Sequence, residues 1–378
     1  MKPQSLAHTI LGILVFALAS CGGSQDAAPP SYNFSETDGI IEAFLEERPA
    51  IEGAGLIIVH QDHGVVHHRA YGDFTLDRIS LVASSSKIVT AGILMALQDQ
   101  GLLDIDEPIE DFLGWESLYP VTTAQLLSNS SGLVGLGPDP TYRPYLCQYI
   151  WAGDLMSCGM EIFTTPDADA GVIPPDTAFR YGGGQWQVAG AVAEAVSGKS
   201  WAELFDETYR QPCGLEFSGY NNHFAQLLET GRGNFDYPIQ FAGDPNNLLP
   251  TDNPNMEGGL YTTTGDYGKL LEMHLNGGRC ENGRVLSEAS VERMQENRIF
   301  DVWGGRTGTG WEGYGLGWWV DTDPWGVRTD GGAYGSFPWL DRDRRYAAFL
   351  VLEASAGLGT NLGLATVPSI EYALENPM

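Results

Sequence analysis

The chain is poor in positive charge. Its 378 residues include 20 lysines and arginines against 49 aspartates and glutamates, which gives a formal net charge of −29. That much negative charge repels a phosphate backbone and releases few counterions from it, so we expect no nucleic-acid partner. Lysine is especially scarce, because the sequence contains only Lys2, Lys87, Lys199 and Lys269. Any chemistry that requires a primary amine therefore has few candidates.

Long apolar runs are also scarce, and the clearest one lies near the N-terminus. Residues 10–18 are apolar, but they are too few to span a membrane as a helix and instead suit the apolar region of a secretory signal peptide. The run ends in Leu18-Ala19-Ser20-Cys21, which resembles the lipobox of bacterial lipoproteins, where the cysteine is lipidated.

This pattern predicts a signal peptide over residues 1–20, lipidation at Cys21 and a flexible tether over residues 21–38. Cleavage of an ordinary signal peptide near Ala19 is the alternative. Either way we expect an exported protein. With a lipid on Cys21 it would be a periplasmic or cell-surface lipoprotein that contacts the membrane only through that anchor.

Four cysteines remain after Cys21: Cys147, Cys158, Cys213 and Cys280. An even number in an exported chain is typical of disulfides, and the pairs Cys147–Cys158 and Cys213–Cys280 are one possibility. Four cysteines allow three pairings, and four buried thiols are also possible. No CxxC spacing or adjacent histidine pair suggests a zinc site.

Hydrophobic periodicity predicts strands at both ends of the chain and helices between them. Two β-branched runs around a glycine-containing turn predict a hairpin over residues 55–71, and the apolar spacing of residues 84–100 predicts a helix. A second helix is predicted over residues 186–196, and the chain becomes strand-rich after Gly313. We therefore expect a hydrolase unit over residues 39–375, with a sheet domain from about 39–95 and 256–375 and a helical domain from about 96–255.

The clearest chemical motif is Ser84-Ser85-Ser86-Lys87 at the start of the first predicted helix. Residues three positions apart share a helix face, so the amine of Lys87 can reach the hydroxyl of Ser84. Only an uncharged amine can accept the serine's proton, so we expect Lys87 to be buried. A helix N-cap followed by a solvated lysine is the ordinary interpretation of this spacing. The scarcity of lysine and the apolar helix favour a nucleophile and its base.

The chain as a whole resembles the serine β-lactamase and penicillin-binding-protein superfamily, in its branch of class C β-lactamases and family VIII-like serine esterases. The resemblance covers nearly all of residues 40–372. It is carried, in family order, by the hairpin, the Ser84-x-x-Lys87 helix and the segments at residues 101–108, 126–133, 256–261 and 313–319.

The family's second motif, Tyr-x-Asn, corresponds to Tyr181-Gly182-Gly183. The tyrosine is retained, and the resemblance makes Tyr181 the second acid–base residue, which passes a proton to the leaving group. Gly183 replaces the asparagine whose amide the family uses to orient a substrate's acyl-amide group.

The third motif, Lys-Thr-Gly or His-x-Gly, corresponds to Thr329-Asp330-Gly331, followed by Gly332. The resemblance makes these four residues, together with Gly183, the candidate oxyanion and substrate-binding residues. The family's cation, which receives the carboxylate of a penicillin or a D-Ala-D-Ala stem, is missing, because Thr329 and Asp330 offer no positive charge. The glycines still allow a backbone N–H, which we assign to Gly332, to join that of Ser84 in an oxyanion hole.

The resemblance implies an α/β (α+β) fold with an antiparallel sheet flanked by helices, an inserted helical domain and no metal or organic cofactor. It implies acyl transfer through Ser84 on a small-molecule or peptide ester or amide. The missing cation and amide favour a carboxylesterase. A peptidase or amidase of the D-aminopeptidase or DD-peptidase type is the alternative, and a non-catalytic lipoprotein that retains the fold is the second.

Overall fold

A seven-stranded antiparallel sheet joins the two ends of the chain, in the order β2-β1-β12-β11-β10-β9-β8. The predicted hairpin is confirmed as β1 and β2, and β1 pairs on its other side with β12 near the C-terminus. In this computed structural model the strands are β1 Gly53–His60, β2 Gly64–Gly72, β3 Ser80–Leu81, β4 Gly219–Tyr220, β5 Leu260–Thr262, β6 Arg279–Cys280, β7 Gly283–Arg284, β8 Gly313–Tyr314, β9 Trp319–Val320, β10 Arg328–Thr329, β11 Ser336–Asp341 and β12 Tyr346–Val351.

Helices flank the sheet and fill the interval between its N-terminal and C-terminal strands. The predicted helices at Ser84 and Trp186 are confirmed as α2 and α6, and the start of α7 carries the capping box of Ser200 and Glu203. The helices are α1 Ser35–Glu46, α2 Ser86–Asp99, α3 Ile109–Leu113, α4 Thr123–Leu127, α5 Leu155–Phe163, α6 Gly184–Ser197, α7 Trp201–Phe205, α8 Gln211–Cys213, α9 Thr264–Leu275, α10 Glu288–Met294, α11 Arg298–Trp303 and α12 Ala356–Glu375.

The structure describes five stretches of the chain. The predicted signal peptide over residues 1–20 and the predicted lipidation site Cys21 lie outside them. Helix α1 begins at Ser35, so the last four residues of the predicted tether are helical, and the tether's predicted end at residue 38 is too late. The described stretches are residues 30–137, 142–164, 171–224, 235–322 and 324–378.

The alternation of side chains along β1 builds a core on each face of the sheet. Leu56 and Ile58 pack with α1 and α12 on one face, whereas Ile57 and Val59 pack with α2 and α9 on the other. Successive side chains of a strand point to opposite faces, so a strand covered on both sides is apolar throughout, as β1 is. The fold is therefore mixed α/β, with helices on both faces of an antiparallel sheet.

The core on the face of the sheet covered by α2 and α9 continues into the helices between residues 109 and 213. It includes Trp186 and Val188 of α6 together with Ile57 and Val59 of the sheet. The predicted division into a sheet domain and a helical domain remains a prediction. Both suggested disulfides are present, Cys147–Cys158 and Cys213–Cys280. Within the described stretches, no helix combines the length and the apolar character needed to cross a bilayer.

Candidate active site

Ser84 lies in a single 3-10 turn, Ala83–Ser85, that leads into α2. Ala83 has a φ of 45°, in the left-handed region that side chains other than glycine rarely adopt. Because of this turn, the side chains of the three consecutive serines have different surroundings. Ser85 is buried and donates to the carbonyl of Asp330 at 2.8 Å, and buried Ser86 donates to the carbonyl of Ala83 at 2.6 Å. Ser84 alone stays partly exposed, so it is the hydroxyl available for chemistry.

Lys87 is fully buried one turn into α2, as its proposed role requires. Its Nζ lies 3.0 Å from the Oγ of Ser84, 3.1 Å from the carbonyl oxygen of Glu257 and 3.4 Å from Oε2 of the Glu257 carboxylate. The rings of Tyr181 and Trp186 lie 4.6 and 5.8 Å from the same nitrogen. The amine is therefore held against the serine by three oxygen atoms and shielded by two aromatic rings.

Tyr181 stands beside this pair, stacked on Trp319 with 5.6 Å between ring centroids. Burial, together with the carboxylate of Asp330, raises the pKa of Tyr181 well above its usual value, while a hydrogen bond from Ser84 opposes the rise. A phenol with a raised pKa stays protonated and donates. Tyr181, which is distant from Ser84 and Lys87 in the sequence, thus joins them in one cluster.

The β10 segment differs from its predicted arrangement. Thr329, which the sequence suggested as a substrate-binding residue, is fully buried and donates through Oγ1 to the carbonyl of Pro338 at 2.6 Å. Alternation along the strand turns the next side chain, Asp330, towards the cluster. There it accepts a hydrogen bond from Nε1 of Trp319 at 3.1 Å.

Asp330 is a buried acid beneath the reactive groups. Burial raises the pKa of its carboxyl to about 8, although the positive charge of Lys87 and the hydrogen bond from Trp319 act against the rise. At neutral pH this carboxyl is therefore largely protonated. It offers no cation to a substrate, and it lies behind Tyr181 and Trp319 in the wall of the site.

The backbone N–H of Gly332, which the sequence analysis assigned to the oxyanion hole, already makes a hydrogen bond within the fold. Its N–H donates to the carbonyl of Ser336 at 2.8 Å, so the sequence-based assignment needs a different donor. A Cβ at Gly332 would lie 2.0 Å from the carbonyl oxygen of Val82, so this glycine lets the strand approach the turn that carries Ser84. Its neighbours Gly331 and Ala333 line the cavity instead.

Glu257 is the residue of this site that sequence reasoning missed. Its side chain is 8% exposed and fills the space beside Gly183, the position where the family's asparagine would stand. The available signal was an acidic residue inside the otherwise apolar and glycine-rich segment Met256-Glu257-Gly258-Gly259. The segment carries part of the family resemblance, but no local pattern marks its carboxylate as part of the site.

A cavity of about 600 Å³ opens in front of Ser84. Its walls are largely apolar and aromatic, and Glu257 is the ionisable carboxylate in them. No lysine or arginine occurs among the lining residues within the described stretches. The side chains that shape the apolar wall are Leu136, Phe224, Phe235, Trp311 and Trp319.

Comparisons with known proteins agree with this geometry. The sequence model of the family described as "Beta-lactamase" matches residues 41–364. Penicillin-binding protein 4 of Amycolatopsis lactamdurans is 28% identical over 297 residues, which cover 73% of this chain and 72% of that protein.

Two solved structures show the same fold. The hydrolase EstCE1, described as having promiscuous acyltransferase activity, superposes with a TM-score of 0.68 at 18% identity, covering 89% of this chain and 97% of that one. An octameric penicillin-binding protein homologue from Pyrococcus abyssi gives a TM-score of 0.65 at 21% identity, covering 91% and 78%. The chain therefore belongs to the Beta-lactamase family and is a serine hydrolase of the superfamily that β-lactamases and penicillin-binding proteins share.

Proposed function

We propose that this serine hydrolase is a carboxylesterase that acts on uncharged esters with an apolar acyl group. The observation that carries the proposal is the apolar cavity in front of Ser84, whose described lining residues include no lysine or arginine. Among these described residues a substrate carboxylate would find no positive partner in the cavity wall, and it would face the carboxylate of Glu257. An apolar acyl chain would instead be desolvated against Phe224, Phe235 and Trp311.

The proposed reaction has two acyl-transfer steps. Oγ of Ser84 attacks the ester carbonyl carbon while its proton passes to the neutral amine of Lys87. The bond to the leaving oxygen then breaks, Tyr181 donates its phenol proton to that oxygen, and the ammonium of Lys87 returns a proton to Tyr181. Water releases the acyl group by the reverse route, which regenerates the Ser84 hydroxyl.

We assign the oxyanion hole to the backbone N–H groups of Ser84 and Ala333. Gly332 directs its own N–H towards the carbonyl of Ser336, and the N–H of Gly335 closes a turn around Ala333 onto the carbonyl of Gly332. Ala333, the next residue, lines the cavity beside Ser84. Two such donors aimed at the developing oxyanion supply much of the rate enhancement in acyl transfer.

A panel of matched chromogenic substrates tests the proposal. We expect a p-nitrophenyl butyrate ester to be hydrolysed with a kcat/KM at least about tenfold above that of the succinate half-ester, because the added carboxylate meets no cation. The matched butyryl anilide should react more slowly still. Ser84→Ala should abolish turnover of all three.

A peptidase or amidase is the second candidate, and the identity with penicillin-binding protein 4 favours it. Faster cleavage of the anilide or of D-alanyl peptides than of the butyrate ester would replace the esterase proposal with this one. If the wild type neither turned over any substrate nor reacted with a fluorophosphonate, the chain would be a non-catalytic protein that retains the fold.

We also propose that the protein is exported and anchored through a lipid on Cys21. Two disulfides in the fold support an oxidising compartment. Metabolic labelling with a fatty-acid analogue should mark the wild type and not a Cys21→Ala variant. An unlabelled wild type would contradict the anchor and leave an ordinary signal peptide as the explanation, and equal labelling of the two would place the lipid on a residue other than Cys21.

A further inference from the structure

Gly183 is a glycine because another side chain occupies its space. Its φ of −77° is open to any residue, so the backbone does not require glycine here. A Cβ at this position would lie 2.1 Å from Oε1 of Glu257 and 2.2 Å from Oε1 of Gln148. Contacts that short do not occur between a real Cβ and its neighbours. A side chain at position 183 therefore requires the ends of both Glu257 and Gln148 to move away.

The Glu257 carboxylate divides its contacts between Lys87 and Tyr149. Oε2 lies 3.4 Å from Nζ of Lys87, and Oε1 accepts a hydrogen bond from the phenol of Tyr149 at 3.5 Å. Burial, followed by the charge of Glu257, raises the pKa of Tyr149 well above its usual value, so the phenol remains a donor. The carbonyl of Glu257 also accepts from Lys87. One residue thus supplies two of the three oxygen atoms around the amine.

Glu257 differs from the other described groups around Lys87, because it is both charged and in direct contact with the amine. Ser84 is the reacting hydroxyl, and Tyr181 and Trp186 present ring faces. The charge of Lys87 acts on the carboxyl of Asp330, but burial holds that carboxyl largely protonated, so it presents little charge to the amine. The anion in direct contact with the amine is therefore Glu257.

We propose that Glu257 is the positioning residue for Lys87, and that its carboxylate and an asparagine at position 183 would compete for the same space beside the amine. The proposal deepens the proposed function, since it rests on Ser84 and Lys87 as nucleophile and base. The carboxylate fixes the direction of the amine towards Ser84. After burial, its charge also raises the pKa values of Tyr149, Tyr181 and Asp330.

The charge has a signature in the pH dependence of catalysis. Replacing Glu257 by glutamine keeps an acceptor oxygen of similar size but removes the charge that, after burial, raises the pKa values of Tyr149, Tyr181 and Asp330. Each of these groups then loses its proton more easily. We expect Glu257→Gln to move the acidic limb of the kcat/KM profile to lower pH by at least about half a pH unit. A residue that only filled space would leave this limb where it is.

The competition for space between positions 183 and 257 gives a second test, which compares the wild type, two single variants and the double variant. We expect Glu257→Ala to lower kcat at least about tenfold with little change in KM, because the amine loses its orientation. Gly183→Asn alone should be less active than the wild type, because its Cβ displaces the ends of Glu257 and Gln148. The double variant Gly183→Asn/Glu257→Ala should exceed both single variants, because the amide then enters the space that Glu257 vacates beside Lys87 once the end of Gln148 turns aside.

Controls separate a positioning role from general damage. Glu194→Gln alters another half-buried carboxyl, which accepts from the N–H of Trp201 at 2.8 Å, and we expect it to leave the pH profile unchanged. The thermal midpoint of each variant reports folding. The isosteric Glu257→Gln variant decides the question if Glu257→Ala fails to fold.

The readout is both ester turnover and the rate of fluorophosphonate labelling of Ser84, which needs no correct ester. If the wild type is labelled but hydrolyses no ester, the proposed substrate class fails while Glu257 is still tested by the labelling rates. An unmoved acidic limb in Glu257→Gln would overturn the proposal. So would a double variant no better than the worse single variant.

Discussion

The proposed mechanism depends most strongly on the amine of Lys87, which must accept the proton of Ser84. It lies 3.0 Å from the Ser84 hydroxyl in an environment closed to water. We expect Lys87→Ala to lower kcat/KM by a factor of about 10² to 10⁴, which is the usual contribution of a positioned acid or base. Steady-state hydrolysis of a chromogenic ester measures this directly.

Two variants serve as controls for the Lys87 prediction. Lys199→Ala removes an exposed lysine that pairs with Glu207, so it should leave kcat/KM within about twofold of the wild type. Thr329→Ala removes a hydroxyl that points away from the cavity. It should cost about 1 kcal/mol of stability and little activity. A Lys87→Ala enzyme near full rate would remove this residue from the role of base.

The buried Asp330 makes stability depend on pH. Its folded pKa of about 8 lies above that of an exposed aspartate, so between these values the folded chain binds a proton that the unfolded chain releases. The free energy of unfolding therefore falls as pH rises from about 5 to about 8. Asp330→Asn cannot ionise, and we expect it to be more stable than the wild type at pH 8 by at least about 1 kcal/mol, since one pKa unit corresponds to about 1.4 kcal/mol.

Denaturant titrations at several pH values test the Asp330 prediction, with exposed Asp343→Asn as the control. The difference between Asp330→Asn and the wild type should grow with pH, while Asp343→Asn should follow the wild type. Parallel curves for the wild type and Asp330→Asn would contradict it. So would a difference that shrinks as pH rises.

Sequence spacing predicts contacts between site residues that lie on one element, but it does not predict contacts between residues that lie on different elements. Ser84 and Lys87 share a helix face, so their contact follows from their separation along the chain. Glu257 and Asp330 approach the same amine from distant segments, and no local pattern reports that meeting. The turn of β10 that buries Thr329 and exposes Asp330 to the site depends on pairing with β11, which also engages the N–H of Gly332.

Each of the two disulfides links segments that are separated in the sequence. Cys147–Cys158 closes a separation of 11 residues around the start of α5, and Cys213–Cys280 closes 67 residues between α8 and β6. The entropy of the closed loop predicts losses of about 3 and about 4 kcal/mol when each pair is replaced by serine. Equilibrium denaturation of the two double variants measures these losses.

The two bridges should differ in their effect on activity. Gln148 and Tyr149, next to Cys147, contact the space around Glu257, so losing the Cys147–Cys158 bridge should also lower kcat. The Cys213–Cys280 variant should keep its kcat at temperatures where it is folded. A smaller loss of stability for the longer loop, or a loss of activity confined to that variant, would contradict this account.

The sequence identified the regular elements well where periodicity was strong, as in the β1–β2 hairpin, α2 and α6. It did not separate the 3-10 turn Ala83–Ser85 from the helix that follows. That turn depends on the left-handed conformation of Ala83, on the hydrogen bond that Ser85 donates to Asp330 and on the one that Ser86 accepts from the N–H of Leu260. The rings of Tyr145 and Tyr149 are buried in the core, which local periodicity did not indicate.

The molecule as a whole carries a large excess of one charge. A net charge of −29 produces self-repulsion in the compact state, whereas the surface ion pairs are individually worth little. The screening length falls from about 30 Å at 0.01 M salt to about 3 Å at 1 M. We therefore expect the thermal midpoint to rise as NaCl is added over this range, and KCl to act equally. A midpoint that falls with salt would show that ion pairs outweigh the repulsion.

The central claim is that Ser84, activated by Lys87, is the nucleophile facing an open cavity. Its most direct test is mass spectrometry of the protein after reaction with a fluorophosphonate. The account predicts one adduct, located at Ser84 within residues 79–87, absent from Ser84→Ala and formed more slowly in Lys87→Ala. An adduct on a different residue, or undiminished labelling of Ser84→Ala, would contradict it.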